Sequence, residues 1–292
     1  MVTVSEMPWQ EDALAIPCGV ERLVAVLARP SVCGDTGVVI VVGGPQYRAG
    51  SHRQFVHLAR ALAGAGVPAL RFDVRGMGDA TGPMQSFESS TLDVACAIGA
   101  MVSACPTVRR VVLWGLCDAA SVILLHARSQ RDPRVAGMVL VNPWIRSEAS
   151  YAKTRLVHYY GKRLLQTEFW RKVLRLDVDF ASGAASIARH VASASRVGGH
   201  ADLGKFQDRM AGGLRAFGGP VLLILSGQDL TAREFQDYAA MDPAWRGLLD
   251  APCITRSDFS DADHTFSNAS AQGQVEARTV QWLREFFAGE GS

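Results

Sequence analysis

The pentapeptide Gly115-Leu116-Cys117-Asp118-Ala119 places a nucleophile between two small residues. An apolar run, Val108 to Trp114, precedes it, and a helical pattern, Ala119 to Ala127, follows. A small-x-nucleophile-x-small string at a strand-to-helix junction predicts a nucleophile elbow, a tight turn that thrusts its central side chain out at the helix N-terminus. Cysteine stands here where serine is commoner, and Ala119 where glycine is. Two further residues complete the set. Asp229 ends the run Val221 to Leu225 through Ser226-Gly227-Gln228, and His264 follows a weaker strand candidate, Cys253 to Ser257. Nucleophile, acid and histidine thus occur in the order that such elbows use, each past the end of a strand. In parallel α/β sheets those ends are where sites form.

The chemistry implied is covalent. A thiol attacks a carbonyl as its thiolate, so His264 takes the Cys117 proton or forms an ion pair with it. Asp229 would fix the imidazole tautomer and stabilise the imidazolium. The positive end of the following helix favours the thiolate, and the Asp118 carboxylate is expected to turn toward the free N–H groups of that helix. A tetrahedral oxyanion needs two donors: the backbone N–H of Asp118 and one from the loop after Val42. Proline at position 45 has no N–H, so Gln46 or Gly44 becomes the expected second donor. Tyr47 and Arg48 come next and are expected at the pocket mouth, Arg48 as a bidentate partner for a carboxylate or phosphate. The opposite expectation for Arg48 is a solvated loop residue.

The elements that must hold these residues read as alternating strands and helices. Ala13 to Ile16 and Arg22 to Leu27 predict a hairpin across Pro17-Cys18-Gly19, and Val38 to Val42 a strand buried on both faces. Ser51 is a candidate cap for a helix with Phe55, Leu58 and Leu62 on one side. Val67 to Phe72 and Val135 to Val141 read as strands, Thr91 to Val102 as a helix, and Gln274 to Phe287 as a terminal helix. The alternation predicts a parallel sheet covered on both faces. It breaks between residues 145 and 217, where amphipathic helical stretches carry no strand. The expected organisation is a core of residues 1–144 and 218–292 with a helical cap, 145–217, over the nucleophile.

Bulk properties exclude several classes. The chain has 292 residues, 48% hydrophobic and 20% charged, with a net charge of +2, so it can bury a large core and offers no electrostatic case for nucleic acid. No apolar stretch approaches the ~20 residues of a membrane span, and the first residues lack a signal-peptide pattern. The six cysteines have no paired metal spacing and read as reduced thiols, which points to the cytoplasm. His126, His190, His200 and Asp202 are too dispersed for a metal site, and no cofactor is expected.

With these residues placed, the chain resembles the α/β-hydrolase superfamily. Asp73-Val74-Arg75-Gly76-Met77-Gly78-Asp79-Ala80 matches its D-x-R-G-x-G-x-S turn, with alanine for serine. The stretches Gly43 to Phe55, Trp114 to Ser121 and Asn142 to Glu148 resemble the exosortase A system-associated hydrolases of type one; dienelactone hydrolases and polyhydroxyalkanoate synthases are looser cysteine-nucleophile likenesses. The resemblance implies a mostly parallel eight-stranded sheet, helices on both faces and a helical cap. Its chemistry is acyl transfer through a thioester on Cys117, which water, an amine, an alcohol or another thiol can discharge. Thioesterase, activated-ester or lactone hydrolase and acyltransferase stay open as readings. The expected partner is a small acyl substrate, free or carried by coenzyme A or an acyl carrier protein. A non-catalytic binding protein on the same fold is the rival from another class. Haloalkane or epoxide chemistry needs a carboxylate at the elbow, and Asp118 is one residue out of place.

Overall fold

The computed structural model describes residues 8–43, 46–145 and 205–287. Strands β1 (Trp9–Cys18) and β2 (Glu21–Pro30) form an antiparallel hairpin, and β2 pairs antiparallel with β4 (Ala69–Phe72). From there every pairing is parallel: β4 with β3 (Thr36–Val41), β3 with β5 (Arg110–Leu116), then β6 (Val135–Val141), β7 (Val221–Ser226) and β8 (Ile254–Phe259). The order across the eight-stranded sheet is β1-β2-β4-β3-β5-β6-β7-β8. Chain order reverses between β3 and β5, and the crevice outside the carboxyl ends of strands at such a reversal is where ligands settle.

Period-two alternation divides the sheet's side chains between two cores. Val38, Ile40, Val112, Trp114 and Val139 face α1 (Gln54–Gly64) and α6 (Ala269–Phe287), which supply Phe55, Leu58, Leu62 and Trp282. Val39, Val41, Val111, Leu113 and Leu140 face the other way, toward α2 (Thr91–Ala104), α3 (Asp118–Ser129), α4 (Phe206–Phe217) and α5 (Leu230–Met241). Strands β3, β4 and β7 are buried along their whole length, as strands covered on both faces must be. Each large apolar side chain removed from water in this way contributes about 1.5–3 kcal/mol.

Several local expectations change. Ser51 does not cap α1: its N–H takes the Gln46 Oε1 at 3.4 Å, and the helix is entered through a tight turn with Arg53 at φ 60 as the residue before it. α5, which the sequence pattern did not predict, follows Asp229 directly. The chain divides into two compact units, Met1–Ile145 with Lys205–Ser292, and Arg146–Gly204. Of the expected cap, residues 146–204 lie outside the described residues. Phe206–Phe217 belongs to the first unit, burying Met210, Ala211 and Leu214 in the core that α3 also lines. Among the described residues no helix is long and apolar enough to cross a membrane.

Candidate active site

Cys117 stands between β5 and α3 with φ 63 and ψ −125, backbone angles that a residue bearing a Cβ adopts only under constraint. The constraint comes from both sides. The Cys117 N–H donates to the Val141 carbonyl at 2.9 Å, and its carbonyl accepts from Trp144 N at 3.1 Å and Ala120 N at 3.1 Å. β6 and its exit loop therefore clamp the turn. The small residue at 115 has a steric reason, since a Cβ there would lie 2.7 Å from Ile123 Cδ1 and 2.8 Å from the Ala119 carbonyl carbon. Gly43, just beyond β3, packs still closer: its Cβ would lie 2.0 Å from Asp118 Oδ1 and 2.6 Å from Ala119 N. The Asp118 carboxylate thus rests against the loop expected to supply the second oxyanion donor.

The acid and the histidine come from the neighbouring edge of the sheet. Asp229 is the N-cap of α5: Oδ1 accepts from Thr231 N at 3.0 Å and Oδ2 from Ala232 N at 3.2 Å. Asp229 Oδ2 also takes His264 Nδ1 at 2.7 Å. One buried carboxylate therefore starts a helix and orients an imidazole. His264 rides on a turn after β8 that Asp263 ties together, Oδ1 accepting from Thr265 N at 3.2 Å and from Ser267 N at 2.9 Å, with a further bond from Ser267 Oγ to Oδ2.

The His264 pKa is pushed up to about 10. Burial is the largest influence and acts downward. It is outweighed by the hydrogen bond to Asp229, the hydrogen bond to Cys117, and the negative charge that each partner carries when ionised. With Nδ1 engaged by Asp229, Nε2 is the ring nitrogen left to meet the thiol. The structure therefore brings Cys117, Asp229 and His264 together.

A residue that sequence reasoning passed over joins these parts. Asn142, fully buried at the end of β6 with φ 44, donates from Nδ2 to Ser226 Oγ at 2.9 Å and to the His264 carbonyl at 3.2 Å. Its Oδ1 accepts from Ser226 N at 2.8 Å. It links the ends of β6 and β7 to the histidine turn. Its sequence signals are its place at the head of the Asn142 to Glu148 stretch and an asparagine directly after a strand, a type that tolerates positive φ.

The remaining expectations fare differently. Arg48 is not poised for a substrate anion: its guanidinium is bonded to buried Asp73 and lies 2.7 Å from Asp79 Oδ2. Arg48 N also reaches Asp73 Oδ1 at 2.6 Å, and Asp79 N reaches Asp73 Oδ2 at 3.0 Å. The Asp73–Ala80 motif serves here to anchor the loop after β3, because a buried carboxylate needs this many donors. Gln46 spends its side-chain oxygen on Ser51, Tyr47 is half exposed, and Gly44 lies outside the described residues with Pro45, as do His190, His200 and Asp202.

Residues 36–234, well over half the chain and including Cys117 and Asp229, match the family model described as serine aminopeptidase, S33. The chain belongs to that family of α/β hydrolases. Membership carries the hydrolase fold and an enzymatic lineage, and the cysteine at the elbow sets this chain apart from the family's own name. No curated protein sequence matches the chain. Solved structures agree on the fold at low identity. An esterase of Pyrococcus furiosus superposes with a TM-score of 0.64 at 15% identity, covering 96% of this chain and 94% of its own. Est1E from Butyrivibrio proteoclasticus, with ferulic acid bound, gives 0.62 at 14% identity over 95% and 100%. A proline iminopeptidase of Mycobacterium smegmatis gives 0.58 at 16% over 94% and 98%.

Proposed function

We propose that this S33-family hydrolase is a cysteine-dependent acyl hydrolase acting on a thioester, activated ester or lactone. The observation that carries the reading is His264, whose imidazole is shared between Asp229 at 2.7 Å and the Cys117 thiol. In this reading a histidine with its pKa near 10 keeps its proton throughout the neutral range, and Cys117 reacts as a thiolate paired with that imidazolium. The Cys117 sulfur attacks the acyl carbonyl, and the oxyanion is held by the Asp118 N–H and by a donor from the loop after β3, Gly44 or Gln46. His264 gives its proton to the leaving group, and Cys117 is left as an acyl thioester. Water then attacks that thioester while His264 accepts a proton from it, and the C–S bond breaks to release the acid product and leave the Cys117 thiolate beside the imidazolium.

The cysteine shapes the substrate class. A thiolate is expelled more readily than an alkoxide, so an oxyester would return to starting material more often than a thioester would. Acyl groups carried on coenzyme A or an acyl carrier protein are therefore the favoured substrates. The test is intact-mass spectrometry after incubation with a panel of acyl thioesters. An acyl adduct on Cys117 that is absent from Cys117→Ala, and that accumulates when Asp229→Asn slows deacylation, is the expected result. Product carrying an added amine, alcohol or thiol in place of water would assign acyl transfer instead. Turnover that survives both Cys117→Ala and His264→Ala would overturn the reading.

A further inference from the structure

Away from this site, the β1–β2 hairpin meets α2 through cysteine. Cys18, the last residue of β1, is buried, and Cys96, on α2, is half-buried. The Cys96 thiol donates to Cys18 Sγ at 2.9 Å, and the Cys18 thiol donates to Asp93 Oδ1 at 3.6 Å. Asp93 is itself fully buried, accepting from Arg75 N at 3.0 Å and Arg75 Nε at 2.5 Å. A covalent disulfide spans ~2.05 Å, so closing the gap asks for roughly 0.9 Å of approach between the two sulfurs.

We propose that Cys18 and Cys96 form a modification site that a hydroperoxide converts to a disulfide, stapling the N-terminal hairpin to α2. The two thiols differ in exposure and so in role. Burial, the Cys96 thiol and the Asp93 charge push the Cys18 pKa up to about 12, so Cys18 stays protonated and a poor nucleophile toward peroxide. Cys96 is the sulfur that oxidant can reach. Cys96 gives up its proton and its sulfur attacks one peroxide oxygen, the O–O bond breaks, and Cys96 becomes a sulfenic acid while the other oxygen leaves as hydroxide or alkoxide and takes up that proton. The Cys18 sulfur then attacks the Cys96 sulfur. The S–O bond breaks, hydroxide leaves and takes the Cys18 proton as water, and the S–S bond closes. Two thiols lose two electrons, and one peroxide is reduced. The resulting link encloses β2, β3, α1 and β4, a long loop whose closure restricts the unfolded chain.

The experiment treats the full chain with one equivalent of hydrogen peroxide, blocks free thiols with N-ethylmaleimide under denaturing conditions, and maps non-reduced peptides. The expected result is a Cys18–Cys96 cross-linked peptide, abolished by a dithiol reductant. The melting temperature of the oxidised protein should be higher by on the order of 5 °C. Cys18→Ser should leave Cys96 as a sulfenic acid that dimedone traps, and Cys96→Ser should leave Cys18 fully alkylatable. A second thiol pair, Cys105 with Cys33, lies at the other end of α2 as an internal competitor. A Cys33–Cys105 cross-link in place of Cys18–Cys96 would overturn the assignment. So would wild-type protein whose Cys117 is oxidised while Cys18 and Cys96 both remain alkylatable.

Discussion

At the centre of the sheet the Cys117 turn is held by backbone hydrogen bonds and by packing too close to admit a Cβ, whereas at its edge the His264 turn is held by polar side chains. Around the elbow, a Cβ at 43 or 115 would lie well inside contact distance of the Asp118 carboxylate, the Ala119 backbone or Ile123. Around the histidine, Asp229, Asp263 and Asn142 supply hydrogen bonds to backbone and ring. The same contrast appears in two histidines. His126, on the helix that the elbow opens, has Nδ1 3.1 Å from the Thr91 carbonyl and a buried Nε2 that finds no partner among the described residues, and burial lowers its pKa below the usual 6.5. His264 is raised to about 10. The centre is built on volume and keeps its histidine neutral; the edge is built on charge and keeps its histidine protonated. Substitutions should therefore damage the centre through stability and the edge through chemistry.

The largest expected effect is at the edge. Asp229→Asn should lower kcat on an acyl thioester by on the order of 10³–10⁴-fold, because the amide no longer stabilises the imidazolium or fixes its tautomer. Asparagine still caps a helix, so the melting temperature should move by only a few degrees. The variant also removes the charge that raises His264. In the wild type the folded pKa exceeds the unfolded one, so this histidine's contribution to stability is whole below about pH 6.5 and fades as pH rises through about 10. Unfolding free energies measured between pH 6 and 10 should lose that slope in the variant. A kcat within tenfold of wild type would mean that the edge is structural after all.

Asn142→Leu comes next and tests whether the two regions are coupled. It leaves the Ser226 N–H and hydroxyl and the His264 carbonyl short of a partner, at an estimated cost of about 2–4 kcal/mol in denaturant unfolding. Turnover should fall as well, since the histidine turn loses its tie to β6. Asn142→Gly, which suits φ 44 equally well, separates the hydrogen bonds from the backbone angle. If it behaves as wild type, the bridge carries no energy.

Gly115→Ala probes the centre by volume alone. The added methyl meets backbone as well as the flexible end of Ile123, so a loss of about 1–3 kcal/mol is expected. Ile123→Val should recover part of it, and additivity of the two changes would mean that they do not touch. The smallest effect belongs to His126. Its folded pKa lies below the unfolded one, so acidification below about pH 6.5 protonates the unfolded chain first. Stability should fall by up to about 1.4 kcal/mol per pH unit there. Urea unfolding at pH 7 and pH 5 should show a shallower fall for His126→Gln.

The elbow was legible because its signal is local: an apolar run, small residues at fixed offsets and a helical pattern beyond them all describe the same strand-turn-helix. β6, from Val135 to Val141, was legible to the residue for the same reason. α5 was not read, although Ala232, Phe235 and Ala239 recur at helical spacing on its buried side, because its start is set by the Asp229 side chain bonding Thr231 and Ala232. Arg48 was misread because a loop arginine beside a candidate site looks alike whether its partner is substrate or protein. Asp73, which claims it, is 25 residues away.

Residue types and their order along the chain determined the sheet class, the strand-to-helix turn at Cys117 and the identity of the three candidate side chains, since each follows from covalent geometry and apolar periodicity within a dozen residues. Only the tertiary structure decided which groups meet. It gave Asp229 to both a helix and an imidazole, set Asn142 across two strands and the histidine turn, committed Arg48 to Asp73 and Asp79, and brought Cys18 beside Cys96. Hydrogen bonds and ion pairs are satisfied by whichever partner folding delivers, and that partner is chosen by strand order and helix placement, not by spacing along the chain.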